Sequence, residues 1–422
     1  MSPASPSGRN RIFYGWPLAG AVWFLYGLQV AGFYSWGFYL PEMLRDLDMS
    51  RAAGGMVFGV QSFCGGAASP FVGMAITRFG LRRVMTLGFG VSALGYFATS
   101  TADGFWQLVV FFGIFTASTH AFATVIPTQT LASIWFRKYR ARMMAFLLAA
   151  GGVCAPVILM LNAQLLQVST WRTGWVLIGC LNLALAVLAF AMVRDSPESI
   201  GQCPDGASAQ DVAEHDETAS PTREPFTAAQ ALRTPQFRLM VLSGLGYAVP
   251  WAVLVNHGRL HLQDLGFDIR AAAAILSAMA LVSTFGRLSG ALGDFLSPPR
   301  LLGVALTLEG LGAALFLIAT TPARAYAAVI LVGLGFGLAF ICQAATFASF
   351  FGRKAFATTT GVRFFVGAVF AAGAPAVTGW YYDVDGSYAV PFLGLTALSL
   401  VGAIVAFTIR SPEPPLPTVE SS

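Results

Sequence analysis

From Thr173 to Val193 the chain carries no charged side chain, and from Val84 to Ala102 it carries none either. Apolar runs of this length have the reach of membrane-spanning helices, which need roughly 20 residues. They recur along all 422 residues, and only 11% of the side chains are charged, against about 25% in a soluble domain. The pattern predicts an all-α polytopic membrane protein.

The apolar segments number twelve, at about 14–40, 52–76, 83–101, 105–131, 142–167, 173–193, 238–257, 271–293, 300–319, 325–349, 356–380 and 387–409. The first begins near Tyr14 and lacks a small-residue cleavage site, so it is read as a retained span. A polar, acidic stretch with Pro, Ser and Ala separates the sixth span from the seventh, with a short helix expected at 226–233. The expected organisation is an N-terminal bundle at 1–193, a cytoplasmic linker at 194–237 and a C-terminal bundle at 238–422.

Basic residues favour the cytoplasmic side of a membrane. With the N-terminus inside, seventeen Lys and Arg fall on cytoplasmic segments and six on outside segments (Arg45, Arg51, Arg172, Arg259, Arg270, Arg324), with Arg287 and Arg363 left in spans. Both termini are therefore expected in the cytoplasm of a cell inner (plasma) membrane protein. The net charge of +5 follows this bias and does not point to nucleic acid. The five cysteines are scattered without metal-ligand spacing. No nucleotide-binding loop and no catalytic grouping stands out, so neither an enzyme nor a cofactor or metal is expected.

The halves echo each other. "GMAITRFGLRR" (Gly73 to Arg83) follows the second span and "GALGDFLSPPR" (Gly290 to Arg300) follows the eighth. Six spans, a linker and six related spans are the layout of carriers that rock two bundles about a central site. The first of these loops resembles the G-x-x-x-D-R-x-G-R-R signature of the major facilitator superfamily. Thr77 stands where that signature has Asp, and the second copy keeps Asp294. The resemblance implies a cytoplasmic gate of Gly73, Arg78, Gly80, Arg83 and Asp294, with its first-half latch in question. "YGWPLAG", "FYLPEM", "WFRKYRARMMA", "RDSPESIGQCPDG" and "ALRTPQFRLM" are similar, in order and spacing, to the monocarboxylate and oxalate–formate branch.

An intramembrane cation marks a pathway by default, since burying it costs at least about 2.5–3.5 kcal/mol. Ser283 and Ala291 flank Arg287 at four residues, so no ion pair forms along the helix. The guanidinium fork suits a carboxylate. The alternatives are snorkelling or a pair with Asp294. Arg363 falls on the same cytoplasmic side of its own span, both about 7 Å from the midplane at about 1.5 Å per residue. Two guanidiniums at one depth repel unless an anion lies between them. The branch resembled carries an Arg on helix 8 and a Lys on helix 11.

His120, on helix 4, suits proton exchange or a hydrogen bond to a neighbouring helix. Ser283 stands where the monocarboxylate carriers place a proton-accepting acid. Glu309 lies in the ninth span, on the bundle periphery by the resemblance, and reads as an interhelically hydrogen-bonded carboxyl or else a coupling residue. Tyr34, Gln61, Tyr247 and Asn256, with Ser62, Phe340 and Gln343, complete the candidate pocket. "GVQSFCGGAAS", "LLAAGGVCAP" and "GLGFGLAF" are either contacts between the rocking halves or ordinary packing. The expected function is secondary active transport of a small mono- or dicarboxylate by alternating access, in exchange for another anion or with a proton, by a monomer. The other readings are a cation or drug exporter, and a carrier-like sensor.

Overall fold

A computed structural model describes residues 13–136, 139–206, 226–289 and 296–412. Twelve long helical segments cross the molecule among these residues: α1 (Gly15–Asp46), α2 (Arg51–Phe79), α3 (Leu81–Ser100), α4 (Phe105–Trp135), α5 (Arg140–Val168), α6 (Trp171–Met192), α7 (Pro235–Asp264), α8 (Ile269–Leu288), α9 (Pro298–Leu317), α10 (Pro322–Gly352), α11 (Thr358–Asp385) and α12 (Ala389–Thr408). Ten are long and apolar enough to cross a membrane. The remaining two are α2 and α3.

Tight turns end the helices. Ser50 accepts from the Ala53 amide at the start of α2, Asp268 accepts from Ala271 at the start of α8, and Thr234 accepts from Phe237 at the start of α7. Each satisfies an N-terminal amide that the helix leaves orphaned. Between Pro322 and Asp385 the helical run bends at Gly352, whose φ of 72° suits a residue without a side chain. The short linker helix forms at Ala228–Arg233, closed by a capping box of Thr227 and Gln230.

The helices make two six-helix bundles. In the first, α1 packs on α5 and α3 on α6. In the second, α8 and α9 pack on α10, and α9 packs on α12. The bundles meet through α2 with α11, α5 with α8, and α1 with α7. Glycine sets the approach: a Cβ at Gly55 or Gly59 of α2 would strike the Pro375 or Ala372 carbonyl of α11, and one at Gly152 of α5 would strike Thr284 and Ala280 of α8. "GVQSFCGGAAS" and "LLAAGGVCAP" therefore form the seam between bundles. "GLGFGLAF" does not: Gly333 and Gly337 of α10 face α8, and Gly335 faces α9, all inside the second bundle.

Among the described residues, the ion pairs that cross the seam lie at one end of the molecule. At the end away from the linker, the Arg51 guanidinium of α2 holds the Asp264 carboxylate of α7 at 2.6 and 2.9 Å and donates to the Tyr388 hydroxyl at 2.8 Å. Asp383 of α11 accepts the Arg51 and Ala52 amides at 3.1 and 2.9 Å, an anion at the N-terminus of α2. Arg259 of α7 is 1% exposed. It pairs with Glu42 of α1 at 2.5 and 2.6 Å and donates to the Phe38 carbonyl. Toward the linker end, Cβ positions at Gly73 of α2 and Gly361 of α11 have nothing within 4 Å.

Candidate functional site

Between the bundles lies a cavity of about 230 Å³, lined from Phe58 to Ser69 on α2, Val241 to Ala252 on α7 and Arg363 to Ala371 on α11. Its wall is aromatic. Phe33, Phe58, Trp251, Phe336, Phe340 and Phe364 line it, and the Trp251 and Phe336 rings stack at 3.7 Å. Its polar groups are few: Ser62, Ser69, His120, Thr124, Tyr247 and Arg363.

Arg363 reaches the cavity from α11 and is 6% exposed. It does not snorkel. Its Nη1 donates to the Tyr247 hydroxyl at 2.8 Å and to the Gln343 side-chain oxygen. Gln343 is oriented for this because its amide nitrogen donates to the Met240 carbonyl at 2.9 Å. Phe347 and Phe364 lie 5.6 and 4.1 Å from the guanidinium carbon, within cation–π range. Nε has no hydrogen-bond partner. Among the described residues no carboxylate lies within ion-pair distance of Arg363.

Arg287 lies behind the cavity wall. Its Nη1 donates to the Leu148 carbonyl of α5 at 2.8 Å, across the seam. Phe336 and Phe340, both of which line the cavity, stand 5.7 and 5.6 Å from its guanidinium carbon. Its Nε is also unpartnered, and it too has no carboxylate among the described residues. Two further α8 side chains reach α5 backbone: Thr284 to Ala149 and Ser277 to Pro156, each at 3.4 Å. Asp294, the alternative partner weighed for Arg287, lies outside the described residues. Ser283 is fully buried and its hydroxyl bonds the Ala280 carbonyl of its own helix at 2.6 Å.

His120 is exposed to the cavity and stacks on Phe33 at 6.0 Å. A break in α4 puts it there. The helix is α-helical at Phe105–Leu108, π-helical at Val109–Phe115, α-helical at Ala117–Phe122, and restarts at Val125–Trp135. Pro127 supplies the cause, since its ring clashes with the carbonyl four residues back, at Ala123. Ser92 of α3 absorbs the disturbance by donating to Thr116 O at 3.2 Å and accepting from Thr119 N at 3.0 Å. The restarted helix begins with no side-chain cap, and Thr124, Val125 and Ile126 line the cavity. The sequence reading treated this span as continuous, although "VIP" was its break signal.

Several sequence-selected residues lie elsewhere. Tyr34 is buried behind the wall, 6.3 Å from the Trp251 ring centre. Gln61 ties α2 to α4 through the Thr116 hydroxyl at 3.0 Å. Asn256 is fully buried with both amide atoms unpartnered, in the closed part of the α1–α7 seam beside Gly37. Glu309 is fully buried on α9 against Gly335, and neither carboxyl oxygen has a partner. The expected interhelical hydrogen bond is thus not formed, and Glu309 is not among the residues lining the cavity.

In the first-half loop, Gly73, Arg78 and Arg83 are exposed. Gly80 turns the chain at φ 83°, and a Cβ there would meet the Asp195 carboxylate at 2.7 Å. Asp195 accepts the Arg82 amide at 2.9 Å, so this loop closes on its own bundle. Sequence reasoning missed Asp195, though it stands in the quoted "RDSPES" stretch. It also missed Arg51 and Arg259, which it counted only as outside charges.

Two helical bundles around a central cavity, tied together at one end by ion pairs, define a membrane solute transporter, not an enzyme. The chain belongs to the Major Facilitator Superfamily, whose family model matches residues 22–375. It is 26% identical to monocarboxylate transporter 13 of Bos taurus, covering 94% of this chain and 89% of that one. It is also 26% identical to a probable sulfoacetate transporter of Cupriavidus necator, over 87% and 78% of the two chains. The fold matches a crystal structure of a bacterial homologue of the lysosomal transporter Spinster, in an inward-facing and occupied conformation. That match has a TM-score of 0.73 at 14% identity, covering 94% of this chain and 97% of the other.

Proposed function

We propose that the protein carries a small organic anion across the inner (plasma) membrane by alternating access. The observation that supports this most directly is the pair of guanidiniums, Arg363 and Arg287, held near the cavity by neutral acceptors among the described residues. A buried guanidinium with unused donors favours an anion, because a carboxylate satisfies both its charge and its fork. Arg363 binds the carboxylate, with Tyr247 and Gln343 aiming it. Arg287, behind Phe336 and Phe340, adds positive potential and joins α8 to α5. A cation would be repelled from this site. Monocarboxylate and sulfoacetate carriers among the relatives agree with an anionic substrate.

In this reading residues 1–193 and 238–422 are the moving halves, 194–237 is a cytoplasmic linker, and both termini are cytoplasmic. The cavity then faces inward, and the Arg51 and Arg259 clusters are the closed outer gate. Gly73, Arg78, Gly80, Arg83 and Asp294 belong to the inner gate. His120 is the proton-coupling residue; with a counter-anion in place of the proton, the same site runs exchange. The protein works as a monomer. Uptake of labelled carboxylates into proteoliposomes, with and without a pH gradient or a preloaded anion, tests the proposal. No movement of any carboxylate under either condition would refute it.

A further inference from the structure

The cavity says more about the substrate than its charge. Three observations bear on the body of the anion. First, seven Phe, Tyr and Trp rings line the space, and the stacked Trp251 and Phe336 form a flat wall. Second, Arg363 is the one guanidinium among the described residues lining it, while Arg287 bonds Leu148 on the far side of Phe336 and Phe340. Third, an apolar cavity of about 150 Å³ holds a benzene molecule; this one, at about 230 Å³, has room for a ring and a short acid chain.

We infer that the preferred substrate is a monocarboxylate with an aromatic or equally bulky apolar body; the inference rests on the anion reading above. The carboxylate lies on Arg363 beside Tyr247. The body lies against Trp251, Phe336 and Phe340, where rings pack offset or edge-on with other rings. A second carboxylate would meet no second guanidinium among the described lining residues, only hydroxyls, His120 and aromatic wall, and desolvating a charge without a charged partner is costly. A two- or three-carbon acid would leave most of the wall uncovered, so the apolar area it removes from water would be small.

The test measures dissociation constants for the full chain in lipid nanodiscs with four probes: 3-phenylpropanoate, propanoate, glutarate and the uncharged 3-phenylpropanol. The expected result is that 3-phenylpropanoate binds at least tenfold more tightly than each of the other three. Phe340→Leu should shrink its advantage over propanoate, and Arg363→Gln should erase its advantage over the alcohol. Should either variant misfold, the wild-type ladder decides alone. Glutarate or propanoate binding as tightly as 3-phenylpropanoate would overturn this inference and leave the anion reading standing. If the alcohol matched the acid, the anion reading itself would fail, and this inference with it.

Discussion

Arg259 of α7 and Glu42 of α1 meet at 2.5 and 2.6 Å across the seam between the two bundles, with Arg259 almost wholly out of solvent. Breaking a buried pair by removing one partner leaves an uncompensated charge and costs about 3–5 kcal/mol. Glu42 is 21% exposed, so we expect about 3 kcal/mol, the lower end of that range. In Glu42→Gln the loss falls on the conformation that is closed at this end. Spin labels on the far ends of α1 and α7 should show the distance distribution moving toward the separated state. An unchanged distribution would show that the pair does not hold the gate.

The two intramembrane arginines should fail differently. Arg363→Gln removes the proposed carboxylate contact, so the substrate concentration for half-maximal transport should rise at least tenfold, equivalent to about 1.4 kcal/mol. Arg287→Gln removes the bond to Leu148 and should lower the maximal rate more than the affinity. Concentration dependence of uptake separates the two. Equal effects on affinity would place Arg287 on the substrate as well.

Glu309 offers a stabilising substitution. A buried polar group without a partner costs about 1–3 kcal/mol, and neither carboxyl oxygen of Glu309 has one. Glu309→Leu should therefore raise the melting temperature in detergent and preserve transport. Loss of transport in a stably folded variant would return Glu309 to the coupling machinery.

Close approach of α5 to α8 depends on Gly152. A Cβ there would collide with Thr284 and the Ala280 carbonyl, whereas one at Gly90 on α3 meets nothing. Overpacking costs about 1–3 kcal/mol. Gly152→Val should cut the transport rate severalfold without lining the cavity, and Gly90→Val should leave it unchanged. Similar rates in the two variants would show that this contact is not needed for rocking.

His120 lines the cavity, and proton coupling through it makes a simple forecast. His120→Gln should abolish uptake driven by a pH gradient while anion exchange continues. A pH-driven rate equal to wild type would assign coupling elsewhere.

Much of the architecture is legible without coordinates because it follows from solvent. Charge-free runs must be helices of membrane length, and the short linker helix shows in the capping residues Thr227 and Gln230. Arg287 and Arg363 are conspicuous for the same reason: a charge in a run such as "VSTFGRLSG" contradicts its surroundings. What cannot be read this way is direction. Tyr34, Gln61 and Asn256 resemble Tyr247 in sequence, yet only Tyr247 lines the cavity.

Hydropathy and helical period thus determine, along the chain itself, that this protein crosses a membrane many times and hides cations in two of its spans. Tertiary structure alone decides which face of each helix turns to which neighbour. It separates glycines of the seam from glycines inside a bundle, places Arg363 in the cavity and Arg287 behind its wall, and brings Arg51 to Asp264 over 213 residues. The physical reason is that these outcomes depend on packing between distant segments, which local periodicity does not encode.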